Sequence, residues 1–194
     1  MTRSARVTRK TLETEVAVAL QLDGSGAATI DTGVGFYDHL LRSLAHHGLF
    51  DVEVAVTGDL EVDEHHTVED AALALGQAFA DALEGREGIA RYGDATVPMD
   101  EAIATAVVDV GGRPYAVVDL ELRADRIGTL STQMIPHAVE ALARTAGFTI
   151  HLTARGRNDH HVAEAAFKAL ARALRAAVAT DPRRQGVAST KGPG

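Results

Sequence analysis

The chain carries the same short motif twice, about half its length apart. Residues 63–75 read "DEHHTVEDAALAL" and residues 158–170 read "NDHHVAEAAFKAL". Each copy sets two adjacent histidines three residues ahead of a glutamate and opens an Ala/Leu-rich helical pattern. Self-similarity at a fixed spacing is the signature of an internal repeat. A fold built from two related halves is therefore the strongest constraint that the sequence imposes.

The similarity between the halves extends beyond the motif. At an offset of 98 residues, His39 coincides with His137, Phe50 with Phe148 and Gly58 with Gly156. A loop shortened by three residues changes the offset to 95, at which His65, His66 and Glu69 coincide with His160, His161 and Glu164. The predicted order helix–strand–helix is the same in both copies. We therefore predict halves at residues 1–94 and 95–182, followed by an irregular tail at 183–194.

Hydrophobic periodicity predicts alternating strands and helices. Apolar and polar residues alternate, as in half-buried strands, over 15–23, 50–59, 105–112, 115–122 and 148–156. Helical patterns cover 35–47, 65–84, 135–146 and 160–179. Gly48 and Gly147 follow two of these helices and fit left-handed C-caps. The pattern therefore alternates between β and α.

Composition excludes several classes of function. The 27 acidic against 19 basic residues give a net charge of −8, which argues against nucleic acid or an anionic membrane as partner. The absence of cysteine excludes disulfides, thiolate zinc sites and a cysteine nucleophile. No apolar run reaches the roughly 18 residues of a membrane helix, and "MTRSARVTRKTLETE" lacks the apolar core of a signal peptide. We expect a cytoplasmic protein.

The doubled motif is suited to binding metal ions. In a helix, Glu69 lies four residues after His65 and three after His66, so both spacings bring the side chains together. Adjacent histidines point about 100° apart, so they can serve two neighbouring ions. One copy alone could be an exposed polar turn, but a second copy with its own upstream histidine argues against that interpretation. The predicted ligands are His39, His65, His66, Glu69, His137, His160, His161 and Glu164.

The repeat symmetry suggests one division of these ligands between the two ions. One site would use His39, His66, Glu69 and His160, and the other His137, His161, Glu164 and His65. Nitrogen and oxygen donors without sulfur suit Mn, Fe, Zn, Co or Ni alike. The pair His46–His47 lacks a following glutamate and is interpreted as a surface or substrate-facing helix end.

A few positions could bind an anion. Each is ordinarily a solvated surface group, but their convergence near a metal centre would create a phosphate site. These positions are Arg91, Arg113, Lys168, Ser189 and Lys191.

Several motifs together resemble one enzyme family. They are "RKTLETEVAVALQLDGSG", "TGVGFYDHLL", "HGLFDVEVAVTGDLEVDEHHTVED", "PMDEA", "GGRPY", "NDHHVAEAAFKALARALR" and "STKG", which extend from Arg9 to Gly192. The sequence is similar to the imidazoleglycerol-phosphate dehydratases of histidine biosynthesis. It departs in "HAV" after Pro136, in "GGRP" and in "VASTKG".

The resemblance implies a fold, an activity and cofactors. The fold would be a duplicated α+β unit with two four-stranded sheets and helices packed between them. The enzyme would be a lyase that dehydrates D-erythro-imidazole-glycerol phosphate to imidazole-acetol phosphate. Two Mn²⁺ ions per active site would hold the substrate ring as imidazolate, in a shell of 24 identical subunits with active sites shared between neighbours.

The resemblance also implies roles for particular residues. Glu13 or the metal ligand Glu164 would carry protons, and Glu13 would also contact the substrate. The five anion-binding positions would hold the substrate phosphate. Two other functions remain open at this point: a metal-dependent assembly or metal-buffering protein, and a dimetal phosphohydrolase. Phosphate-dependent ligand binding would separate the first from an enzyme, and phosphate release from simple esters would indicate the second.

Overall fold

The computed structural model describes residues 3–190, which form two four-stranded sheets and four long helices. The first half comprises β1 (Ser4–Lys10), β2 (Thr14–Gln21), β3 (Ala28–Asp31), α1 (Gly35–Gly48), β4 (Asp51–Gly58) and α2 (His65–Ala82), and a short 3₁₀ turn (Glu84–Arg86) follows. The second half comprises β5 (Tyr92–Met99), β6 (Ala102–Asp109), β7 (Tyr115–Leu120), a small hairpin of β8 (Arg126–Ile127) and β9 (Leu130–Ser131), α3 (Met134–Ala146), β10 (Thr149–Arg155) and α4 (Asp159–Val178). No helix within 3–190 combines the length and the apolar character that crossing a membrane requires.

The two sheets have the same topology, which confirms the internal duplication. Their strand orders are β1-β2-β4-β3 and β5-β6-β10-β7. In each sheet the central pair is antiparallel, and the last strand runs parallel to its neighbour. The boundary predicted at residue 94 falls inside β5, which pairs with β6 in the second sheet.

The helices lie between the sheets and exchange partners between the halves. Helix α1 packs against α4, and α2 packs against α3, so that each pair takes one helix from each half. At Gly76 of α2, an added Cβ would lie 2.2 Å from the Thr145 hydroxyl and 2.4 Å from the Leu142 carbonyl. This crossing is therefore too close for any side chain at residue 76. Because each helix packs against a helix of the other half, residues of the two motifs contact histidines from the opposite half.

The core repeats as well. Alternate side chains of the central strands point toward the helices, as the period of two requires, among them Val16 and Val18 in β2 and Ile150 and Leu152 in β10. The repeat-related Phe50 and Phe148 are fully buried and both contact Phe79, with ring centroids 5.3 and 5.9 Å apart. Each buried phenylalanine contributes on the order of 1.5–3 kcal/mol to stability. The phenylalanines thus join the two halves.

One predicted helix cap is wrong. Gly147 caps α3 in the left-handed region, at φ 66°, as expected. Helix α1, however, includes Gly48, and Leu49 adopts the left-handed conformation, at φ 55°. A Cβ on Gly48 would lie 2.4 Å from the Phe50 ring, so this glycine leaves room for the ring rather than supplying a left-handed turn.

Candidate metal centre

The first candidate site lies between α1 and α4. His39 comes from α1, and His160 and Glu164 come from the first turns of α4. The Nε2 atoms of His39 and His160 lie 2.9 and 3.1 Å from Oε2 of Glu164. The three donor atoms are all within 4.8 Å of one another, which makes this triad a candidate metal site.

The second candidate site lies between α2 and α3. Nε2 of His137 is 3.5 Å from Oε1 of Glu69, and Nε2 of His65 is 4.0 Å from Oε2 of the same carboxylate. Nε2 of His137 is buried and makes no hydrogen bond among the described residues. Buried polar atoms are normally satisfied, and a metal ion would satisfy this one.

The triads correct the predicted division of ligands. Glu164, rather than Glu69, lies with His39 and His160, and Glu69 lies with His65 and His137. A histidine and a glutamate four residues apart share one helix face, so each glutamate stays with the first histidine of its own motif. The third donor then comes from the helix that the other half contributes. Each triad therefore combines both halves of the chain.

The second histidine of each motif lies outside both triads. His66 and His161 point away because adjacent helical residues diverge by about 100°. Their Nδ1 atoms lie 3.0 Å from Asp59 and 2.8 Å from Glu101, and these hydrogen bonds raise the pKa of both imidazoles. The His161 bond also lowers the pKa of Glu101 to about 2.

Glu13, predicted to carry protons, lies beside one of these rings. It occupies the β1–β2 turn, with its carboxylate 3.7 Å from Nε2 of His66. Asp70 fixes this turn, because it accepts hydrogen bonds from Arg9 and from Thr14 at the ends of the two strands. The structure therefore places Glu13 near a predicted ligand but outside the triads.

Each triad glutamate forms an ion pair with a basic side chain. Lys168 lies one turn beyond Glu164 on α4, with Nζ 2.8 Å from Oε1 of the carboxylate. Burial alone would raise the pKa of Glu164, but hydrogen bonds from Lys168 and His39 outweigh it and lower the value to about 2. Arg144 of α3 plays the corresponding part in the other triad, 3.0 Å from Glu69. No sequence motif marks Arg144, so its contact with Glu69 was not predicted.

This pKa predicts a loss of stability in acid for the metal-free protein. Glu164 titrates near 2 in the folded chain, against an ordinary value of 4.5. Its contribution to the free energy of unfolding is therefore complete above about pH 4.5 and disappears as the pH falls toward 2. Urea midpoints of metal-free protein should fall across this range, and less steeply in Glu164→Gln.

Replacement of the exposed Glu140 by glutamine provides a control for this measurement, because it removes a carboxylate of the same type on α3. Its midpoints should follow those of the wild type. Identical pH dependence in Glu164→Gln and the wild type would contradict the assigned pKa.

Three of the predicted anion-binding residues line one cleft of about 810 Å³: Arg91, Arg113 and Ser189. Arg91 donates to both carboxylate oxygens of Asp109, at 2.8 and 3.0 Å, and to the Ala188 carbonyl. The Arg113 side chain is 81% exposed, and its ion pair with Asp109 is long, at 3.9 Å. Its guanidinium is therefore accessible. Lys168 does not belong to this cleft lining, and Lys191 lies outside the described residues.

Arg86 also lines the cleft and was not predicted. Its guanidinium donates to the carbonyls of Val110, Ala146 and Gly147, at 2.7, 2.7 and 3.0 Å. These bonds tie the end of α3 to the segment after β6, next to Arg113. The only sequence signal was an arginine in a glycine-flanked loop, as for Arg91.

The fold and the triads together define a class of protein: a duplicated α+β unit with two His/Glu sites that could bind metal ions. Comparison with known proteins gives the family. The imidazoleglycerol-phosphate dehydratase family model matches residues 32–174. The dehydratases of Methylorubrum extorquens and Methanothermobacter thermautotrophicus are 53% and 54% identical, over 98% of this chain and 98% and 97% of their own.

Solved structures agree. The dehydratase of Staphylococcus aureus superposes with a TM-score of 0.83 at 31% identity, over 92% of this chain and 99% of its own. That of Pyrococcus furiosus, in complex with (S)-C348, gives 0.82 at 35% identity, over 96% and 99%. The chain belongs to the imidazoleglycerol-phosphate dehydratase family. It is a hydro-lyase that dehydrates imidazoleglycerol phosphate in histidine biosynthesis, as the resemblance implied.

Proposed function

We propose that this dehydratase holds two Mn²⁺ ions per active site. The supporting observation is the pair of triads, each with two imidazole nitrogens and one carboxylate oxygen within 4.8 Å. Such donors suit Mn²⁺ among other divalent ions, and manganese itself is taken from the family resemblance. The residues proposed as ligands are His39, His65, His66, Glu69, His137, His160, His161 and Glu164.

Metal ions held by these residues would supply Lewis-acid chemistry that stabilises the substrate ring as an imidazolate, whose electrons can expel the neighbouring hydroxyl. Proton transfer falls to the carboxylates. Glu13 is half exposed and makes no ion pair with a lysine or arginine within residues 3–190, so it is free to accept a proton. Glu164 is held anionic by Lys168 and is the weaker candidate.

The substrate phosphate is proposed to bind at the cationic cleft. Arg113 presents an accessible guanidinium there, while Asp109 holds Arg91 in place. Ser189 lines the same cleft, and Lys168 and Lys191 remain proposed phosphate ligands. Holding a remote phosphate uses binding energy to position the reacting carbon.

Neighbouring subunits are proposed to complete each active site within a 24-subunit shell. His66 and His161 support this, because they lie outside both triads of their own chain, with Nε2 3.7 Å from Glu13 and 3.8 Å from Asp100. A neighbouring copy could use these nitrogens as additional ligands. Lys168 could likewise join the arginine cleft of another copy. As an enzyme of amino-acid biosynthesis, the protein is proposed to act in the cytoplasm.

Metal removal tests this proposal. Metal-free protein supplied with Mn²⁺ should take up two ions per chain and recover dehydration, measured by elemental analysis and by ketone formation. Chelation should also shrink the particle in light scattering, because shared ligands link the subunits. A particle of unchanged size after complete metal loss would show that the ligands do not hold the shell together. Full turnover without metal would reject the metal role.

A further inference from the structure

The two halves provide the same environment for the second histidine of each motif, but they use unrelated residues. Asp59, just after β4, contacts Nδ1 of His66 at 3.0 Å. Glu101, in the β5–β6 turn, contacts Nδ1 of His161 at 2.8 Å. At the repeat offset of 98, Asp59 coincides with Arg157 rather than with Glu101. Each half therefore places a carboxylate beside Nδ1, although the residues that supply it do not correspond in the repeat.

The two carboxylates differ in how they are held. Oε1 of Glu101 accepts hydrogen bonds from the backbone N–H groups of Arg157 and Asn158, at 3.1 and 2.8 Å, which leaves Oε2 for His161. The Asp59 side chain is 18% exposed. Its Oδ1 atom makes no hydrogen bond among the described residues, and its Oδ2 atom pairs with Nδ1 of His66.

An ionised carboxylate only accepts hydrogen bonds, so the ring nitrogen that faces it must carry the proton. With the proton on Nδ1, a neutral imidazole has its lone pair on Nε2. In both triads, Nε2 is also the histidine atom that approaches the glutamate. All six histidines would thus present the same nitrogen to a metal ion.

We propose that Asp59 and Glu101 are positioning residues, which hold His66 and His161 in the Nδ1–H tautomer and orientation that make Nε2 a metal ligand. This inference rests on the proposed metal function. Acceptors behind a ligating histidine fix the orientation of the ring and increase its basicity, and their loss typically weakens metal binding by roughly ten- to a hundredfold.

The test measures Mn²⁺ affinity of the full chain by competition with a fluorescent chelator. Asp59→Ala and Glu101→Ala should each bind at least one Mn²⁺ roughly ten- to a hundredfold more weakly. Asp59→Asn keeps a carbonyl oxygen that accepts from Nδ1–H, and the other carboxylate oxygen of Asp59 makes no hydrogen bond among the described residues, so this variant should recover most of the affinity that Asp59→Ala loses. Glu61→Ala is the matched control, because it removes an exposed carboxylate two residues from Asp59 and should bind as the wild type does.

The possible outcomes separate the positioning role from the metal function. Wild-type affinity in both alanine variants would overturn the positioning role and leave the metal function standing. An Asp59→Asn variant as weak as Asp59→Ala would also overturn it, since loss of charge would then account for the effect. A wild-type protein that binds no Mn²⁺ would overturn the metal function together with this inference. Circular dichroism of each variant establishes that the affinities belong to folded protein.

Discussion

His160→Ala is expected to remove one metal ion per active site and to lower kcat by about a thousandfold. His160 supplies one of three donors in its triad and lies 3.1 Å from Glu164. Lewis-acid stabilisation of a transition state is worth several kcal/mol, and about 4 kcal/mol corresponds to three factors of ten. Elemental analysis of the purified variant and turnover at saturating substrate measure the two effects.

His151→Ala is the matched control for this experiment. His151 is an exposed histidine on β10, outside both triads, so metal content and kcat should stay at the wild-type level. His65→Ala should reproduce the loss, since His65 holds the equivalent place in the other triad. Full metal content with normal turnover in His160→Ala would refute the assignment of this histidine as a ligand.

The local spacing of each motif was sufficient to predict that its first histidine and its glutamate lie together. A histidine and a glutamate four residues apart meet on any helix, whatever surrounds it. The contact between His39 and Glu164, in contrast, depends on the packing of α1 against α4, which no local pattern encodes. The predicted division placed His39 and His160 with Glu69. For His160 this went against the local spacing to Glu164, whereas for His39 the glutamate depended on tertiary structure.

The strands show the same contrast. Those with clear alternation, such as β2 and β4, were predicted near their observed positions. Strand β1, "SARVTRK", was missed because an edge strand carries charged residues and only part of it is buried. Strand β3 has four residues, too few for a period, and β5 contains Gly93 and Pro98, which weaken the pattern of an edge strand.

Residues that support the site were also beyond the reach of sequence patterns. Arg144 meets Glu69 across 75 positions, and Glu101 meets His161 across 60. Neither pair has a helical or strand spacing that would suggest contact. Such partners act through the fold, so only the structure identifies them.

Arg113→Ala is expected to lower kcat/KM roughly ten- to a hundredfold while metal content stays unchanged. A hydrogen bond to a charged group contributes about 1.5–3 kcal/mol, and each 1.36 kcal/mol changes the rate tenfold. Arg113 lies outside both triads, so the metal ions should remain. Ketone formation at low substrate concentration and elemental analysis provide the two measurements.

Arg123→Ala is the matched control, because Arg123 is an exposed arginine that does not line the cationic cleft, and its kcat/KM should not change. Substrate without the phosphate gives the decisive comparison. If Arg113 acts on the phosphate, wild type and Arg113→Ala should process imidazole glycerol at the same low rate, since the interaction is absent from both. A defect that persists without the phosphate would assign Arg113 a different role, such as holding Asp109, and would leave the phosphate site to the other residues of the cleft.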